Sequence, residues 1–179
     1  MINMKYFKTI LLALALFVGF NSFSQNKKEK QLMEDVQKVK ATMIEKDASI
    51  KDFFNESAGY VVFPNVGKGG LIVGGASGRG ILYKNGAAIG SANLKKLSVG
   101  LQAGGQAIAE VIFFETQEAL NQFKDGDFEF AAGVSAVVLK EGKAENIKYK
   151  DEVAVIAMPK AGLMAEASVG GQKFGYKDF

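Results

Sequence analysis

Thirteen of the 21 glycines in this 179-residue chain fall in the 53 residues from Ser57 to Ala109, threaded between short runs of β-branched and aromatic residues. Glycine at this density weakens helices. In strands it marks bulges, sharp bends and close approach of another backbone. The segment therefore predicts strands and turns. Tyr60 to Phe63 reads as a strand ending at a Pro64-Asn65 turn, and Leu71 to Val73 as a second strand. Ile81 to Tyr83 follows Gly78-Arg79-Gly80, and Asn85-Gly86 is a two-residue hairpin signal. Leu97 to Gln102 and Glu110 to Phe114 read as further strands.

Beyond the glycine-rich region, Thr116 is placed to cap a short helix through Ala119, Leu120 and Phe123, closed by Asp125-Gly126. Phe128 to Leu139 reads as a long strand turned by Glu141-Gly142. Val153 to Met158 (VAVIAM) is a continuous apolar run, the mark of a strand buried on both faces. Gly162 to Tyr176 adds more strand texture. Tight connections favour antiparallel pairing.

The N-terminal third is helical in pattern. Leu32, Val36, Val39 and Met43 lie on one stripe, widened by Met33 and Ile44. That stripe suits a helix packed on the domain or one lying on a membrane surface, and its mixed charges favour packing. Asp47 or Ser49 is placed to cap a second short helix with Ile50, Phe53 and Phe54 facing inward. The fold expected is α+β: two N-terminal helices on a mainly antiparallel, glycine-rich, strongly bent sheet, barrel- or sandwich-like.

Residues 1–24 have the layout of a secretory signal peptide. Lys5 and Lys8 supply positive charge, Ile10 to Phe20 (ILLALALFVGF) an apolar core, and Ser22-Phe23-Ser24 the small residues before a cut. A spanning helix needs about 20 apolar residues, and this run has eleven. Removing 24 of the 179 residues leaves a single domain over 25–179, exported to the periplasm or the extracellular space.

Composition narrows the chemistry. The chain has no cysteine and no histidine. Disulfides, thiol nucleophiles, Ser-His-Asp triads and zinc sites are excluded, so the expectation is a binding protein without metal or cofactor rather than an enzyme. Gly67-Lys68-Gly69-Gly70 and Gly74 to Gly80 match neither nucleotide-binding glycine signature, and no helix pattern follows them.

Charge is unevenly placed. The formal net charge is +3, but Ser57 to Ala109 holds five basic residues and no acid, whereas Glu110 to Phe179 carries an excess of acids. Lys68, Arg79, Lys84, Lys95 and Lys96 are thus candidates for contact with an anion, provided that they share a face. Arg79 is the only arginine; its guanidinium suits phosphate, and its flanking glycines suggest a hairpin end. The competing reading is that glycine-rich strands carry few charges of either sign.

The run Ala58 to Gly86 (AGYVVFPNVGKGGLIVGGASGRGILYKNG) resembles the SYLF domain, as do Val99 to Phe123 and Gly162 to Tyr176. The resemblance implies binding of membrane phospholipid, of the phosphoinositide type in eukaryotic relatives, and of anionic phospholipid generally for an exported chain. It carries no catalytic residues. Contact with the membrane is expected to be peripheral; actin and nucleic acid are not expected partners. The alternatives are a small outer-membrane β-barrel, which the non-alternating VAVIAM and EVIFF runs disfavour, and an envelope structural protein.

Overall fold

A computed structural model describes residues 27–126, 137–139 and 147–179. The export signal, most of the strand expected over Phe128 to Leu139, and the Glu141-Gly142 turn lie outside the described residues. Helix α1 spans residues 27–46, α2 Ile50–Glu56 and α3 Gln117–Asp125. The strands are β1 Gly59–Gly70, β2 Val73–Lys84, β3 Ala87–Phe114, β4 Val137–Val138 and β5 Val153–Asp178.

Two strands are far longer than the sequence suggests. The segments expected as separate strands around Leu97 and Phe114 are one 28-residue β3, and those around Val155 and Phe174 are one 26-residue β5. Both fold back on themselves. The N-terminal limb of β3 (residues 87–99) pairs with β2, whereas its C-terminal limb (residues 104–114) pairs with β1. β5 follows β3 antiparallel through both limbs, from Phe114↔Val153 to Gly90↔Asp178. β3 therefore wraps the tip of the β1–β2 hairpin, and β5 wraps β3. Counted by limb, the sheet has seven positions: β4, β5, β3, β1, β2, β3, β5. All pairings are antiparallel except β4 with β5. It is one curled, mostly antiparallel sheet of the barrel- or sandwich-like kind expected, but it does not close.

The local signals act where their chemistry is local. Asn85 and Gly86 both take positive φ (52° and 77°), closing the β2–β3 hairpin. The Thr116 hydroxyl oxygen accepts a hydrogen bond from the Ala119 N–H at 3.2 Å, and Gly126 ends α3 in the left-handed region. Pro64-Asn65, in contrast, is not a turn. β1 runs through it with a bulge that shifts the register against both neighbours. Proline has no N–H for the ladder, so a bulge accommodates it. Lys160, at a matching irregularity in β5, donates to the Pro64 carbonyl at 3.1 Å and to Asn65 Oδ1.

Two apolar clusters occupy the two faces at one end of the sheet. The inner face, within the curl, gathers Val61, Phe63, Val66, Leu82, Ile112 and Phe174 against Leu120 and Phe123 of α3. The outer face gathers Tyr60, Val62, Ile81, Val111, Phe113 and Ile156 against Val36, Val39 and Met43 of α1 and Ile50 of α2. Lys40 of α1 sits 4.6–5.1 Å from the ring centres of Phe54, Tyr60 and Tyr83 and donates to the Tyr60 hydroxyl. Burial lowers the Lys40 pKa and pushes the Tyr60 phenol up to about 12. The other end of the sheet carries no helix among the described residues, and there the glycines collect. Gly70 and Gly74 face each other beneath the hairpin tip; a Cβ on Gly70 would lie 2.4 Å from the Gly74 Cα.

Candidate functional site

The helix-free end is built from the tip of the β1–β2 hairpin and the strands beside it. Leu71 and Ile72, expected within a strand, form the turn itself and are 73% and 71% exposed. The adjoining row continues the apolar surface: Val73 pairs directly with Val99, and Leu97 lies two residues along. These three are also more than 60% exposed. Five large apolar side chains facing solvent at one end of a domain are a patch of the kind that marks interaction with protein or lipid.

The basic residues divide in a way the sequence conceals. Along β2, odd-numbered residues share the outer face with Ile81, so Arg79 and Ser77 point outward on the same side as Val73. Ser77 pairs with Lys95, and Lys95 with Lys173 of β5; one row further from the tip, Arg79 pairs with Asn93. These residues line an open groove of about 620 Å³. Among the described residues its lining holds three cations and no acid. Lys95 and Lys173 stand directly opposite each other on neighbouring strands, an arrangement that like charges disfavour.

Lys68 and Lys96 go the other way. They flank Ala76 in a single cross-strand row, and Ala76 packs against the inner cluster. Their charges act on Glu110, which is only 8% exposed. Burial raises the Glu110 pKa, partly opposed by a hydrogen bond from Gln172 Nε2 to Oε1 at 2.9 Å and by Lys96 and Lys68. Lys84, the fifth candidate, ends β2 beside Asn85-Gly86, eleven residues and roughly 36 Å of extended strand from Val73. A smaller cavity of about 360 Å³ near that end, lined by Phe54, Tyr60, Asn85 and Gly86 among others, has no cation among the described residues of its wall.

Of the five residues predicted from charge, then, Arg79 and Lys95 come together, Lys68 and Lys96 form a second group facing inward, and Lys84 is remote. Arg79 is not at a hairpin end; it sits within β2. Sequence reasoning missed Lys173, which joins the groove only through the β3–β5 register, and the exposed tip. The signal for the tip was present: Leu-Ile-Val bracketed by Gly69-Gly70 and Gly74-Gly75 is an apolar turn between glycine pairs.

A curled α+β sheet with helices at one end and an apolar, cation-backed tip at the other defines the class. Residues 95–178 match the family described as Ysc84, Las17-binding protein actin regulator. That family is the SYLF domain family, which is associated with lipid binding, and the chain is similar to it over this span. The matched span contains Lys95, Leu97, Val99, Glu110, Gln172 and Lys173 and begins after Arg79. No curated protein matches the chain. Among the described residues no helix is long and apolar enough to cross a membrane.

Proposed function

We propose that this chain is an exported, non-enzymatic protein that binds anionic phospholipid membranes peripherally through the helix-free end of its sheet. The observation that carries the reading is the order of side chains along the outer face. Leu71, Ile72, Val73, Leu97 and Val99 come first, then Ser77, Lys95 and Lys173, then Arg79 and Asn93. At about 3.3 Å per residue the Lys95 row lies roughly 13 Å behind the Val73–Val99 row. Interfacial segments bury their apolar face about 5–10 Å into the headgroup and acyl boundary. A tip seated at that depth brings the cations to the phosphates, where each is worth about 1 kcal/mol of attraction to an anionic surface.

The family's association with lipid binding supports the same reading. Phosphoinositide, the ligand type in eukaryotic relatives, is one anionic lipid among those this surface suits. Flotation with phosphatidylglycerol/phosphatidylcholine and pure phosphatidylcholine vesicles tests the proposal. Binding is expected on the anionic vesicles, weakening as salt screens the cations. Equal binding to both, or none to either, overturns it.

A further inference from the structure

Glu110 is a buried carboxylate on the inner face, between Ile108 and Ile112 of the inner cluster, and the proposed membrane contact does not use it. It lies on the C-terminal limb of β3, between Phe63 of β1 and Ala157 of β5. Its hydrogen-bond partner Gln172 lies on the C-terminal limb of β5, paired with Lys96 on the N-terminal limb of β3. In ladder order these limbs are four positions apart, so the bond crosses the interior of the curl. Among the described residues, the charged groups that act on Glu110 are Lys96 from the N-terminal limb of β3 and Lys68 from β1. β2 turns Ala76, Gly78 and Gly80 to the same interior, and α3 adds Ala119, Leu120 and Phe123, none of which titrates.

The contrast with the outer face is chemical. Among the described residues, Arg79, Lys95 and Lys173 share their groove with no carboxylate. Lys68 and Lys96, equally near the tip, face one that is internal. An ionised Glu110 holds their ammonium groups toward the interior by Coulomb attraction in a region of low dielectric. A neutral Glu110 loses that attraction, yet its carbonyl oxygen still accepts from Gln172, so the limbs stay joined.

We propose that Glu110 is an internal counterion switch: ionised, it draws Lys68 and Lys96 inward; protonated, it releases them to the membrane-facing surface, so that anionic-membrane binding strengthens as pH falls. Burial moves its titration upward from the ordinary carboxylate range. The inference rests on the reading of the helix-free end as a membrane contact.

The test uses the full chain, the Glu110→Gln variant, which keeps an acceptor for Gln172 but no charge, and the Lys68→Gln/Lys96→Gln double variant. Sedimentation with phosphatidylglycerol/phosphatidylcholine vesicles between pH 8 and pH 5 is paired with amine labelling of each lysine at pH 7.5, read by mass spectrometry without lipid. The wild type should bind roughly 25-fold tighter at pH 5 than at pH 8, two lysines being gained. Glu110→Gln should bind at pH 8 as the wild type does at pH 5 and vary little with pH. The double variant should stay weak and nearly flat. Lys68 and Lys96, but not Lys173, should label several-fold faster in Glu110→Gln. A Glu110→Gln variant with wild-type pH dependence and wild-type labelling overturns the switch. Faster labelling without vesicle binding by any of the proteins supports the switch and removes the membrane reading instead.

Discussion

The two ends of the sheet use the same strands for opposite purposes. At the helix-covered end, Tyr60 to Phe63, Ile81 to Tyr83, Val111 to Phe114 and Val153 to Met158 are buried on both faces. At the other end the same strands thin to glycine, and large apolar side chains face water. The comparison teaches that stability and binding are separable here. The first end holds the molecule together, which lets the second expose surface that a core would bury.

Breaking the covered end should have the largest effect. Phe63→Ala removes a fully buried ring from the inner cluster and should cost about 3–5 kcal/mol in chemical denaturation. A comparable loss from Leu71→Ser would contradict the division; that exposed change is expected to stay within about 0.5 kcal/mol. In vesicle binding the ranking reverses. Leu71→Ser/Ile72→Ser deletes two inserted apolar side chains, each worth about 1.5–3 kcal/mol when fully buried, so affinity should fall at least tenfold.

Glycines sharpen the same boundary. A Cβ on Gly80 would sit 2.6 Å from the Val62 carbonyl oxygen and 2.7 Å from the Phe63 ring, so Gly80→Ala should destabilise by about 1–3 kcal/mol. Gly67 has open space around its would-be Cβ, and Gly67→Ala should leave the melting temperature nearly unchanged. A smaller effect separates the two groups of cations. Lys95→Gln or Lys173→Gln should weaken binding to anionic vesicles about fivefold without lowering stability, whereas Lys84→Gln should leave binding unaltered.

The smallest expected effect is on stability against pH. Because the folded-state pKa of Glu110 is raised, its contribution is fully present below the unfolded-state value and is lost as pH rises through the folded-state value. Glu110→Gln should therefore gain stability relative to the wild type above that window, and the gain should vanish at acid pH. Denaturation midpoints at pH 4 and pH 8 measure it.

What the sequence discloses follows from the range of the interactions. The Asn85-Gly86 hairpin, the Thr116 cap and the Gly126 stop depend on a few adjacent residues, and the sequence reading placed all three. The faces of the cations depend on register across three strands and on one bulge. Val62 lies on the outer face but Val66 on the inner, because the Pro64-Asn65 bulge inserts one residue and reverses the alternation. That reversal sends Lys68 inward, away from Arg79. Without the bulge, simple alternation from Val62 would have put Lys68 on the outer face. Lys173 was unreadable for a related reason: it meets Lys95 only because β5 follows β3 across its whole length.

The central claim is that the β1–β2 tip enters the membrane while the opposite end of β2 stays in water. The chain has no tryptophan, so one introduced indole reports alone. Ile72→Trp and Lys84→Trp variants, bound to phosphatidylglycerol vesicles containing brominated lipid, read the depth of each end. The account predicts a blue-shifted, strongly quenched signal for Ile72→Trp and an unshifted, unquenched one for Lys84→Trp. Quenching at position 84, or a bound Ile72→Trp variant whose emission stays that of indole in water, would contradict it.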